Sequence, residues 1–142
     1  MKIKGALVSH STDIKIPFHD VDMMTVAWHG HYVKYFEVAR CELLDKINYN
    51  YMEMCQSGYM WPIIDLQIRY VKPAKFGQEV TVFVAITEFE NRLKMEYRIV
   101  DKQTQLRLTK GSTVQVAVRM SDNEMLLATP KILREKMGVD GE

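Results

Sequence analysis

Apolar positions along this chain recur with two different periods, and the change from one to the other divides it. Residues 11 to 18 alternate weakly through Ile14, Ile16 and Phe18, which predicts a first strand leading into a polar loop that runs to His29. From about His31 to Ile47, Tyr32, Phe36, Ala39, Leu43 and Ile47 follow at steps of three and four, and Val33 and Leu44 broaden the stripe. Lys34, Glu42, Asp45 and Lys46 fall on the other faces, so this segment reads as one long amphipathic helix. A short second helix is expected after Asn50, whose side chain can cap it while Glu53 supplies the other half of a capping box, with Gly58 as terminator.

Beyond Tyr59 the period is two. Ile64, Leu66, Ile68 and Tyr70 share one face against Asp65, Gln67 and Arg69, and Pro73 closes that strand. Glu79 to Phe89 carries Val80, Val82, Val84 and Ile86 on one side and Phe83 and Ala85 on the other, so both sides are expected to be covered. After a turn at Glu90 to Arg92, Leu93, Met95, Tyr97 and Ile99 alternate with Lys94, Glu96 and Arg98. A second turn at Asp101 to Thr104 leads to a long strand through Leu106, Leu108, Val114, Val116 and Val118, in which Gly111 marks a bulge or a close backbone approach. Thr129 as N-cap and Pro130 at the first helical position predict a short terminal helix.

One long apolar helix followed by antiparallel-type strands implies an α+β architecture in which a sheet wraps the helix, because each must bury its apolar side against something. Such a layer pair leaves sheet edges open. Twofold pairing of two copies covers them, so a homodimer is expected.

Composition narrows the class of function. A chain of 142 residues, 47% apolar and 26% charged, reads as one domain over residues 1–142. A net charge of +1 with scattered Lys and Arg gives no footprint for nucleic acid. No run of apolar residues is long enough for a transmembrane segment and the N-terminus does not read as a secretory signal, so a cytoplasmic location is expected. Cys41 and Cys55 lack metal-type spacing and read as reduced, buried thiols.

Candidate chemistry is concentrated between Phe18 and Arg40. Asp20, Asp22, His29 and His31 lie just before or at the start of the long helix, where unpaired backbone N–H groups can stabilise an oxygen developing negative charge. That combination suits carbonyl chemistry, with Gly30 leaving the approach unobstructed. On spacing alone both aspartates also read as ordinary turn residues. With His19 the cluster offers metal-type ligands, but the spacing matches no metal signature and no metal is expected.

The pattern F-x-D-x-D-x-x-x-x-x-W-H-x-x-Y-x-x-x-F-E-x-A-R from Phe18 to Arg40 resembles the hot-dog-fold acyl-CoA thioesterases of the 4-hydroxybenzoyl-CoA thioesterase type. Within them it is most similar to the small thioesterases associated with the bacterial Tol-Pal system. The likeness continues through Arg69 to Gly77, Lys110 to Val114 and Ala128 to Lys131. It implies a long central helix wrapped by an antiparallel sheet of about five strands, continued across a dimer, with dimers pairing into a tetramer and active sites at the subunit interface. It further implies hydrolysis of an acyl-CoA or acyl-carrier-protein thioester without a cofactor. The second aspartate, Asp22, corresponds to the catalytic carboxylate and Asp20 to a supporting residue, while His29 assists and the N–H groups near His29, Gly30 and His31 form the oxyanion site.

An acyl group needs an apolar slot, for which Val26, Tyr32, Met54, Met60, Trp61 and Ile64 are the candidates. Arg69, Lys72, Lys75 and Lys110 are the cations available for coenzyme A phosphates or an acidic carrier. Met23-Met24-Thr25 departs from the smaller residues of relatives, so the substrate preference is not expected to be copied closely. A non-catalytic acyl-thioester-binding protein and a hot-dog hydratase or dehydratase are the competing readings.

Overall fold

The apolar stripe after the polar loop forms helix α1, His31–Lys46, in the computed structural model, which describes residues 2–139. Met1 and residues 140–142 of the expected domain lie outside the described residues. Tyr32, Tyr35, Phe36, Ala39, Leu43 and Leu44 are the buried side of α1. They lie against one face of an antiparallel five-stranded sheet made of β1 (Val8–Lys15), β3 (Ile63–Tyr70), β4 (Glu79–Glu88), β5 (Leu93–Asp101) and β6 (Arg107–Gln115), in the spatial order β1-β4-β5-β6-β3. This is the α+β hot-dog arrangement, a long helix packed against an antiparallel five-stranded sheet.

The layers approach closely at Gly111. Tyr97, Gly111 and Ile68 are partners across β5, β6 and β3, and the Phe36 ring stacks on Tyr97 with centroids 4.4 Å apart and planes 14° apart. A Cβ at position 111 would stand 2.5 Å from Phe36 Cε2 and 2.6 Å from the Gln67 carbonyl oxygen. Of the two expectations for Gly111, the close approach holds, since the β3–β6 ladder passes through it in register. Tyr97 donates to or accepts from Thr113 at 2.7 Å, so its buried hydroxyl is satisfied.

Helix α2, Tyr51–Gln56, has the expected capping box: Glu53 N–H donates to Asn50 Oδ1 at 3.0 Å and Asn50 N–H to Glu53 Oε1 at 3.2 Å. Gly58 follows it with φ +94°, the left-handed conformation that favours glycine.

Other boundaries differ from expectation for definable reasons. β1 begins at Val8, because its inward positions His10 and Thr12 are polar and hide the period; both bond to Glu42 of α1, at 2.9 and 3.1 Å. The expected long strand ends at Gln115. Val118–Arg119 is a separate strand, β7, in a small sheet with β2 (Tyr59–Met60) and β8 (Glu124–Met125). Pro130, not Thr129, is the N-cap of α3 (Lys131–Met137), since the Thr129 hydroxyl is spent on the carbonyls of Phe89 and Glu90 at the β4–β5 turn. Cys41 is exposed and Cys55 half-buried rather than buried, for neither lies in the apolar stripe of its helix. β3 is exposed along nearly its whole length on both faces, Ile63 at 42%, Ile64 at 58% and Leu66 at 42%, because it is the edge of the sheet. Among the described residues no helix is long and apolar enough to cross a membrane.

Candidate active site at the start of helix α1

The loop between β1 and α1 is a tight hairpin pinned to a second segment. After a 3-10 turn over Phe18–Asp20, Val21 bridges Ala27, Asp22 N–H donates to Val26 O at 2.9 Å and Thr25 N–H to Asp22 O at 3.0 Å. Thr25 takes φ +62° at the tip, a strained choice for a β-branched residue. Val26 bridges Lys75, Ala27 N–H donates to Ala74 O at 2.6 Å and Phe76 N–H to Thr25 O at 3.0 Å. The buried Tyr32 hydroxyl of α1 accepts from Ala74 N–H at 3.0 Å, so the helix start, hairpin and 74–76 segment are one hydrogen-bonded unit.

The two aspartates of this hairpin have opposite environments. Asp20 is 1% exposed, with Oδ1 accepting from Lys34 Nζ at 2.6 Å and Oδ2 from the Tyr35 hydroxyl at 2.8 Å. Imidazoles of His19 and His31 lie 3.6 and 3.8 Å from Oδ1, and the Asp20 carbonyl accepts from Trp28 N–H. Burial works against the Asp20 charge, but the bonds from Lys34 and Tyr35 outweigh it and hold the carboxyl below its usual range. Burial and then Asp20 raise the Tyr35 phenol, which remains a donor. Asp22 is exposed, and its carboxylate accepts one bond, from Met24 N–H at 2.9 Å to Oδ1. Three lone-pair sites of the Asp22 carboxylate thus face solvent, by the usual count of about four per carboxylate.

At the helix start, His31 N–H donates to Trp28 O at 2.9 Å and Tyr32 N–H to His29 O at 3.3 Å. Among the described residues the N–H groups of His29 and Gly30 have no acceptor. Gly30 is the N-cap, and the approach expected to be open there is covered on the α-carbon side, since a Cβ would fall inside the Trp28 indole, which lies over it beside the rings of His29 and His31; neither Gly30 nor His31 lines the cleft that His29 borders. The His29 ring meets Tyr70 edge-on at 6.1 Å, and the Tyr70 hydroxyl donates to His29 O at 3.0 Å. This ties the end of β3 to the helix start.

Asp22, Val26, His29 and Tyr32 line one open cleft of about 260 Å³, closed on its other side by Tyr70 and Lys72. The structure does not bring the rest of the expected acyl slot there. Met54 and Trp61 are buried beside α2 and line a cavity of about 370 Å³ with Leu44 and Ile63, at the opposite end of β3 from Tyr70. Met60 lines an adjoining cavity of about 280 Å³, and Ile64 projects from the exposed edge. Of the four expected cations, Lys72 borders the cleft, Lys75 stands on the segment paired with Val26, and Arg69 and Lys110 are cross-strand partners on β3 and β6. Among the described residues no three His, Cys, Asp or Glu side chains converge as metal ligands would.

Three contributors escaped the sequence reading. Lys34 reads as one of the charges on the polar faces of the helix, Tyr35 is not singled out, and Tyr70 reads as one apolar member of an alternating strand. Tyr35 follows Tyr32 by three residues, a pair that must share a helix face, and this is the one signal in the chain that could have flagged it.

Comparison with known proteins places the chain in a family. The model of the Thioesterase-like superfamily matches residues 16–134. The Thermus thermophilus protein TT1821 has 26% sequence identity, with 90% of this chain and 96% of that one covered at a TM-score of 0.78. The DHNA-CoA thioesterase from Staphylococcus aureus also has 26% identity, with 84% and 80% covered at a TM-score of 0.75. The chloroplastic acyl-acyl carrier protein thioesterase ATL3 of Arabidopsis thaliana is 26% identical over 84 residues, 59% of this chain and 44% of that protein. With a match over most of its length, hairpin and helix start included, the chain belongs to the thioesterase-like superfamily.

Proposed function

We propose that this enzyme hydrolyses an acyl thioester of coenzyme A or acyl carrier protein in the cleft between Asp22 and the start of α1. The observation that carries the reading is the placement of an exposed, lightly bonded carboxylate in the same cleft as His29, beside a helix start whose His29 and Gly30 N–H groups are free of acceptors. The thioester carbonyl oxygen accepts from those N–H groups, and the gain is realised as its charge develops, where one donor is worth roughly 3 to 4 kcal/mol. Asp22 then either attacks the carbonyl carbon, giving a mixed anhydride that water resolves, or takes a proton from an attacking water. In both routes the thiolate leaves and is protonated. The His29 ring, held between Trp28 and Tyr70, orients the substrate or the water.

The exposed β3 edge supports a twofold dimer in which β3 pairs with its own copy and the sheet continues across. Antiparallel self-pairing sets the Ile63 end of one protomer beside the Tyr70 end of the other, which supports a shared site: Asp22 and His29 from one copy, and the apolar cavity of Met54 and Trp61 from its partner copy. Lys72 at the cleft and Lys75 on the segment paired with Val26 support contact with the coenzyme A arm or an acidic carrier. The names of similar proteins, a DHNA-CoA thioesterase and an acyl-acyl carrier protein thioesterase, support both thiol carriers. Both thiol carriers occur in the cytoplasm, and we assign the protein there.

The deciding experiment is thiol release from a panel of aliphatic and aromatic acyl-CoAs and acyl carrier proteins, with wild type and Asp22→Asn side by side. Release by wild type that is lost in the variant supports the reading. Tight substrate binding without release would point to a binding protein instead.

A further inference from the structure

Successive residues on a strand point to opposite faces of a sheet. Tyr97 and Gly111 face α1, so Arg98 on β5, Lys110 on β6 and Arg69 on β3 face away from it. The register pairs Arg69 with Lys110 and Lys110 with Arg98. Three cations therefore stand side by side across three adjacent strands, which are about 4.8 Å apart. Like charges directly opposite one another destabilise a sheet, and no carboxylate separates these.

The row lies in a cavity of about 360 Å³ on the outer face of the sheet, to which Lys94 adds a fourth cation and Ser112 a hydroxyl. Glu96 is the one carboxylate of that lining. It stands 3.5 Å from Arg98, whose guanidinium also donates to Tyr97 O at 2.8 Å and is held in place by it. Among the described residues Arg69, Lys94 and Lys110 have no carboxylate within 4.0 Å. For a chain whose net charge is +1, this is a strong local concentration.

We propose that the outer face of the sheet is a binding site for a diphosphate anion, held by Arg69, Lys110 and Arg98. Two guanidinium forks flanking an ammonium match the several oxygens of linked phosphates, and such an anion offsets the repulsion within the row. A single carboxylate is too small to engage all three strands. The diphosphate has two sources. It belongs to coenzyme A, a use that rests on the thioesterase reading, or it is free pyrophosphate, which does not. Arg69 adjoins Tyr70, whose ring borders the cleft, so a ligand anchored on the row reaches the cleft by passing over the end of β3.

The test is calorimetric titration of the full chain at low salt with inorganic pyrophosphate and with free coenzyme A. Lys110→Gln should weaken binding of the occupying anion about tenfold, the scale of one charge-assisted hydrogen bond. Lys131→Gln, an exposed cation on α3, should leave it unchanged. Relief of the row should also raise the Tm of anion-free Lys110→Gln by about 1 to 3 °C. Should that variant fail to fold, Arg69→Gln on the exposed edge gives the same reading. Absence of binding by both anions at millimolar concentration, or equal binding by wild type and Lys110→Gln, overturns the proposal. Binding of coenzyme A with a raised KM and unchanged kcat for acyl-CoA in Lys110→Gln assigns the site to the substrate. Pyrophosphate binding that does not compete with acyl-CoA assigns it to a separate ligand. Binding in a protein that releases no thiol from any substrate retains this site and rejects the thioesterase reading.

Discussion

Asp20 and Asp22 are two residues apart in one hairpin, yet they belong to different physical regimes. Asp20 sits in a buried knot where both carboxylate oxygens accept a hydrogen bond, while Asp22 opens into a solvent cleft with a single backbone bond. A carboxylate whose oxygens are all engaged cannot attack a carbonyl or accept its proton without breaking its own bonds. The contrast separates a group that holds the site together from one that is free to react.

The largest effect that would break this contrast is on turnover. Asp22→Asn should reduce kcat for the best acyl thioester at least about 100-fold, the lower end of what a positioned acid or base supplies. Its thermal midpoint should stay near wild type, because the amide oxygen can still accept from Met24 N–H and the position is exposed. An active Asp22→Asn beside an inactive, well-folded Asp20→Asn would reverse the assignment.

Next in size is stability. Asp20→Asn keeps a carbonyl for the Tyr35 hydroxyl but removes the charge bound by Lys34, so urea unfolding should show a loss of about 1 to 3 kcal/mol. Activity measured well below the midpoint should fall less than tenfold. A fully stable Asp20→Asn would mean that the knot contributes nothing to holding the hairpin.

The same carboxylate sharpens the comparison through pH. Because the folded Asp20 carboxyl lies below its ordinary value near 3.8, its contribution is fully present above that value and is lost as pH falls through the lower, folded value. The stability gap between wild type and Asp20→Asn should hold from pH 7 down to about 4, by the ordinary Asp value, and shrink below it. A gap that persists undiminished far below the ordinary Asp value would contradict the ion pair.

The smallest expected effect is at Tyr70. Tyr70→Phe removes the exposed bond to the His29 carbonyl and keeps the ring, so it should cost about 0.5 to 1 kcal/mol at most. A change in kcat/KM of less than tenfold, with Tm nearly unmoved, would agree with a role in aligning the helix start.

Local rules made much of this legible. The three- and four-residue stripe located α1, the Asn50–Glu53 spacing gave the capping box of α2, and Gly111 announced a close approach. What stayed hidden depends on tertiary partners. Nothing in the alternation of Ile64, Leu66 and Ile68 reveals that their strand is an edge, since that is decided by which strands lie beside it. His10 and Thr12 look like solvent positions until Glu42 is brought over them. Met54 and Trp61 were read as neighbours of Asp22, whereas the whole length of β3 separates the two groups within one chain. The resemblance of the Phe18 to Arg40 pattern singled out Asp22, while nothing in the spacing of the two aspartates shows that Asp20 is the buried one.

The bare α-carbon of Gly111 sets a mechanical tolerance for a site with which it shares no atom. Phe36 rests on it six residues into the helix from Gly30, roughly 9 Å along the axis at 1.5 Å per residue. A helix of sixteen residues behaves as a stiff rod, so a lift at Phe36 becomes a tilt, and a tilt moves the far end. One methyl group added at position 111 would therefore act as a shim under a lever, re-aiming the Gly30 N–H by a fraction of an ångström while every residue of the cleft kept its identity.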